Sequence, residues 1–99
     1  MPTVVETSWW LDWSAVPDRL LWARLRVFAD GSAEVLDLDG HYHRFDNRRE
    51  AFFWLNEDEY SALADLIEDG EVEPALTPPH AETDHELVPL MAVRRGTDA

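Results

Sequence analysis

A chain of 99 residues with 45% apolar content and five tryptophans has the composition of one folded unit, and the lack of cysteine excludes disulfides, thiolate nucleophiles and sulfur-ligated metal centres. The formal net charge of -13 opposes binding to nucleic acid phosphates and anionic lipid, so a macromolecular partner is expected to be basic. All eight formal positive charges are arginines, which removes Schiff-base and phosphate-loop lysines from consideration.

At the start of the chain Met1 to Val5 carry no basic segment, and no apolar run approaches the roughly 20 residues that span a bilayer, so a cytoplasmic address is expected. Thr3 to Trp13 is apolar and aromatic enough for a strand, with Pro17 and Asp18 marking the turn into the next. Asp30-Gly31 and Asp39-Gly40 then separate short runs rich in Val, Leu, Phe and Tyr, which predicts strands near 20–29, 33–38 and 41–45 joined as hairpins.

With two-residue turns, Leu25 faces Leu36 and Ala23 faces Leu38, while Arg24 faces Asp37. That register puts Ala23, Leu25, Val27, Leu36, Leu38 and Phe45 on the face turned to the helices, and Trp22, Arg24, Arg26, Asp37, Tyr42 and Arg44 on an open face. A bulged three-residue first loop pairs Arg26 with Glu34 instead.

After Phe45 the apolar period lengthens to that of a helix. Asn47 with Glu50, and Asn56 with Glu59, have the spacing of helix starts, which predicts helices over about 48–55 and 57–68. Leu55 and Tyr60 suit the hydrophobic staple of the second, Glu57, Asp58 and Glu59 suit its positive end, and Gly70 stops it. Beyond it, 72–85 contains Pro74, Pro78 and Pro79 and reads as an extended linker, and Leu87 to Val93 is expected to dock as an edge strand, the alternative being a free binding segment. The predicted fold is α+β: a three- to four-stranded antiparallel meander followed by two helices packed on one face. Residues 1–70 make the domain, and 71–99 an extended proline-containing segment docked on it.

Charge is unevenly placed. Residues 1–55 hold nine acidic and six basic side chains, whereas 56–93 hold eleven acidic side chains and no arginine. The four serines form no nucleophile-elbow pattern and the four glycines no phosphate-cradling loop, so no catalytic apparatus and no cofactor are expected. The reading that remains is a non-enzymatic acidic module that recognises a basic protein partner through Glu57, Asp58, Asp65, Glu68 and Asp69, with Trp22 on the exposed sheet face. A sharper variant is a nucleic-acid mimic or immunity-type inhibitor whose carboxylates imitate phosphates. A third reading is a homodimer joined through the open sheet face or an edge strand.

Metal chemistry is the other alternative. His41 and His43 alternate on a strand and point to one face, and Glu34, His80, Glu82 or His85 is the expected source of a third ligand. Asp37, Asp39 and Gly40 resemble the opening of a calcium loop, but its closing position falls on Arg48, so a turn explains them better. Of the tryptophans Trp9, Trp10, Trp13, Trp22 and Trp54, about three are assigned to the core on the residue-type tendencies for burial.

Overall fold

In a computed structural model that describes residues 3–12, 19–74 and 76–94, the chain forms an antiparallel sheet flanked by short helices. The strands are β1 (Val4–Asp12), β2 (Arg19–Phe28), β3 (Ala33–Leu36), β4 (Tyr42–Phe45), β5 (Ser61–Ala62) and β6 (Ala92–Arg94), and the helices are α1 (Arg48–Glu57), α2 (Leu63–Glu68) and α3 (Asp84–Leu87). The order across the sheet is β4-β3-β2-β1-β5, and β6 pairs with β2. The α+β class and the meander therefore stand as expected. Trp13 and the Pro17-Asp18 turn lie outside the described residues.

The hairpins settle the register. Phe28 donates its N–H to the Ser32 carbonyl and Gly31 donates back to Phe28, each at 2.9 Å, so the first loop has three residues. The second repeats the pattern, with Asp37 bonded to His41 and Gly40 to Asp37. Gly31 and Gly40 have φ of 92° and 86°, the left-handed geometry that closes such a loop with a bulge. Consequently Arg26 faces Glu34 and Arg24 faces Leu36. The two-residue register is corrected, and since one residue of slip turns a side chain to the other face, Leu36 leaves the side of Ala23 and Leu25.

Both faces of the sheet are covered. On one, Trp10, Ala23, Leu25, Val27, Ala33 and Val35 pack against Ala51, Leu55 and Tyr60. On the other, Leu11, Trp22 and Leu36 pack against Leu66, Leu87 and Met91. The helices are thus divided between the faces, α1 on the first and α2 on the second. Trp22, expected on an open surface, is 1% exposed, because Leu66, Leu87 and Met91 close over it. Its backbone N–H donates to the Met91 carbonyl at 2.8 Å where β6 begins to pair with β2; of the edge strand expected over Leu87 to Val93 only the end from Ala92 is strand, because Leu87 closes α3 and Val88–Leu90 forms a 3-10 turn. Trp10 is also buried, and Trp9 and Trp54 are half-buried.

The helix boundary after 55 is the main revision. Asn47 caps α1, its side chain accepting from the Glu50 N–H at 2.9 Å, as expected. Asn56 starts no helix; it belongs to the last turn of α1. There the N–H of Tyr60 bonds the Leu55 carbonyl and that of Glu59 bonds the Asn56 carbonyl, with Glu59 at φ 66°, which is the Schellman pattern of a helix end. Gly70, φ 76°, ends α2 by the same two bonds, from Glu71 to Leu66 and from Gly70 to Ile67. Among the described residues no helix is long and apolar enough to cross a membrane.

Candidate functional site

The Schellman turn at Tyr60 sets the position of the acidic groups. Leu55 and Tyr60 are buried side by side against the sheet, which forces the intervening Asn56 to Glu59 outward, and all four are exposed. Glu57, Asp58 and Glu59 thereby stand at the carbonyl end of α1, where the helix dipole is negative, and α1 has no basic residue in its last turn. The expectation that these carboxylates complement a helix N-terminus is reversed. Glu68 and Asp69 stand in the same way at the end of α2, also without a basic residue in the last turn, while Asp65 lies in its first turn.

Two clefts open beside these groups. One, of about 390 Å³, is lined by Asp12, Glu57, Asp58, Glu59 and Tyr60. The other, of about 310 Å³, has Trp10 and Phe52 on its walls with Asp65 and Asp69 at its margin. The rings of Trp10 and Phe52 meet edge to face at 4.9 Å, and the Arg48 guanidinium lies 4.9 Å from the Phe52 centroid, so this ring already accepts a planar cation. Burial, reinforced by the Asp12 and Asp58 carboxylates, pushes the Tyr60 hydroxyl up to about 12. Among the described residues the ion pairs are those of Arg24 and Arg26 with Asp84, His41 and His43 with Asp37, Arg44 with Glu34 and Arg48 with Glu6. None involves a carboxylate between Glu57 and Glu73.

Of the six residues expected to meet a partner, five are exposed carboxylates, with Glu57 and Asp58 on one cleft, Asp65 and Asp69 on the other and Glu68 beside them. Trp22 does not belong with them. Sequence reasoning also missed the apolar side of α1, where Phe53 is 65% exposed and, with Phe45 and Trp54, lines a cleft of about 560 Å³. Three aromatics within four residues at 51–54 signal more than one buried face, and α1 has only one sheet to cover.

His41 and His43 both approach Asp37. His43 Nε2 lies 2.7 Å and His41 Nδ1 3.9 Å from Asp37 Oδ2, while Oδ1 accepts from the N–H groups of Asp39 and His41. Burial raises the Asp37 carboxyl, but the hydrogen bond from His43 and those from the backbone outweigh it and leave it below its ordinary value. Asp37, Asp39 and His41 each have a ligand atom within 4.8 Å of those of the other two. The expected third ligands are placed otherwise: Glu34 pairs with Arg44, His80 and Glu82 are exposed in the irregular segment before α3, and His85, also exposed, lines the cleft that Asp39 shares.

On the opposite face Arg24, expected to be open, is 5% exposed and donates from both terminal nitrogens to Asp84, at 2.8 and 3.0 Å. The Tyr42 hydroxyl donates to the same carboxylate. Arg24, followed by Tyr42, holds the Asp84 carboxyl down at about 2, and the bond to Asp84 raises the Tyr42 hydroxyl. This constellation fixes α3 to the sheet. Its geometry is that of a structural clasp, with the carboxylate saturated by donors and carrying no free base function.

No protein-family model, no curated protein and no solved structure matches the chain.

Proposed function

We propose that the protein is a non-enzymatic binding module that recognises a basic protein segment along the acidic margin formed by the ends of α1 and α2. The observation that carries this reading is the placement of Glu57, Asp58, Glu59, Glu68 and Asp69 at the negative ends of two helices, where none of them enters an ion pair among the described residues. Each such charge costs the isolated protein about 0.3–1 kcal/mol. A cation docked between them removes that cost and gains the summed field, so charge that opposes folding favours association. The neighbouring cleft supplies the complementary apolar element: Trp10 and Phe52 offer ring surface to the stem or guanidinium of an arginine, and Asp65 and Asp69 offer acceptors for its donors.

A cytoplasmic address belongs to the same reading, as does a partner whose contact surface is rich in arginine or lysine. The test is a titration with a lysine- and arginine-rich peptide at graded ionic strength. Binding that weakens steeply with salt, and is lost in an Asp65→Asn, Asp69→Asn variant with an unchanged fold, supports the reading. Binding that is insensitive to salt or to those substitutions refutes it.

A further inference from the structure

We infer that the hairpin loop joining β3 to β4 is a binding site for a divalent transition-metal ion, with Asp37, Asp39 and His41 as ligands and His43 as the residue that orients Asp37. The site stands apart from the acidic margin and does not depend on its partner.

The loop geometry explains the convergence. The bulge at Gly40 brings the His41 carbonyl back to the Asp37 N–H at 3.0 Å, so the residues that open and close the loop are cross-strand neighbours with their side chains on one face. One oxygen of Asp37 is consumed by backbone N–H groups, which locks the carboxylate rotamer and leaves the other oxygen directed at the imidazoles. His43 is held in turn, its ring lying 4.6 Å from that of Trp54 at 32°. His43 donates from Nε2 to Asp37 Oδ2 and so performs the outer-shell task that fixes a ligating carboxylate. His41 and Asp39 remain exposed and able to turn.

Bonds of about 2.1 Å to nitrogen or oxygen require ligand atoms roughly 3.0–3.4 Å apart. The present separations, up to 4.8 Å, are therefore closed by rotation of the two exposed side chains, with no movement of the strands. The donor set decides the class of ion. Two carboxylate oxygens and one imidazole nitrogen in three positions suit zinc, cobalt or nickel, with water completing the shell. Calcium demands six to eight oxygens, which a five-residue loop does not supply. The net charge of -13 favours any cation.

The experiment is calorimetric titration of untagged protein with zinc chloride and with nickel chloride at neutral pH, together with tryptophan emission, since Trp54 stacks on His43. One ion per chain is expected, with an emission change that saturates at the same stoichiometry. His41→Ala and Asp37→Asn should each weaken binding at least tenfold, and His43→Ala by about 10-fold through loss of orientation. His80→Ala and His85→Ala should leave affinity unchanged, and millimolar calcium should not compete. Circular dichroism of the His41→Ala variant, whose substitution is on the surface, shows that the fold is intact. Loss of binding in His80→Ala or His85→Ala, equal affinity of His41→Ala and the native chain, or absence of saturable binding of either metal overturns the assignment.

Discussion

Removing the carboxylate of Asp84 by Asp84→Ala leaves the Arg24 guanidinium 5% exposed with no counter-charge, its Nε already buried without an acceptor among the described residues. Breaking a fully buried pair in this way costs about 3–5 kcal/mol. The Asp84 side chain is 32% exposed, so water screens part of the loss and brings it below that range, to roughly 2–3 kcal/mol. An independent route gives a similar size: a carboxyl drawn from 3.8 to about 2 contributes about 2 kcal/mol of stability by proton linkage before screening is discounted. For a domain of this length the expected fall in Tm is about 10–20 °C. Because the folded pKa is depressed, this contribution is complete above the unfolded carboxyl value and disappears as pH falls from about 5 to 2, so the native and Asp84→Ala curves should converge in acid. Thermal melts followed by circular dichroism from pH 7 to pH 2 read both effects. A double variant, Arg24→Met with Asp84→Leu, should recover most of the loss, since the cost lies in the orphaned charge. A fall below about 0.5 kcal/mol for Asp84→Ala, or a loss that persists unchanged at pH 2, refutes the account of the clasp.

Glu59→Gly should stabilise the chain by about 1 kcal/mol, since glycine takes the left-handed φ of 66° freely and the substitution also lifts a charge from the negative end of α1; Glu59→Gln, which changes only the charge, should yield the smaller part in the same urea titration. Met91→Ala, at a side chain with 0% exposure, should cost about 2–5 kcal/mol, measured by chemical unfolding, which distinguishes a docked C-terminal segment from a loose one. Tyr60 should ionise near 12 in an ultraviolet titration. Its raised value favours the neutral phenol, so the stability it contributes is complete below pH 10 and lost between about 10 and 12, and Tyr60→Phe should flatten that alkaline limb.

The meander was legible because hairpin signals are local: Asp30-Gly31 and Asp39-Gly40 both stand at their turns. The register was not, because two- and three-residue loops share those dipeptides and differ only in where the strand resumes, which Leu36 cannot report when both faces are buried. The end of α1 was misread for a physical reason. A hydrophobic staple and a Schellman end both bring together residues five apart, so Leu55 and Tyr60 satisfy either, and with Glu59 where glycine usually stands the stop signal was missing. Trp22 and Arg24 look solvent-facing because the residues that cover them, Asp84, Leu87 and Met91, are 60 or more residues away in sequence. The same limit hid Asp37 as the residue that joins His41 and His43: the pair was visible from alternation, but the approach of the loop carboxylate depends on the bulge. The acidic groups were found by composition alone, and what the fold adds is their position at two helix ends.

Recognition of a cation-rich segment by the surface from Glu57 to Asp69 is read residue by residue through amide chemical-shift mapping during titration with an arginine-rich peptide. Perturbations confined to 56–69 and to Trp10 and Asp12 across the cleft, shrinking as salt is raised, are the predicted result. Perturbations centred on Phe53 and Trp54, or spread evenly over the sheet, contradict it.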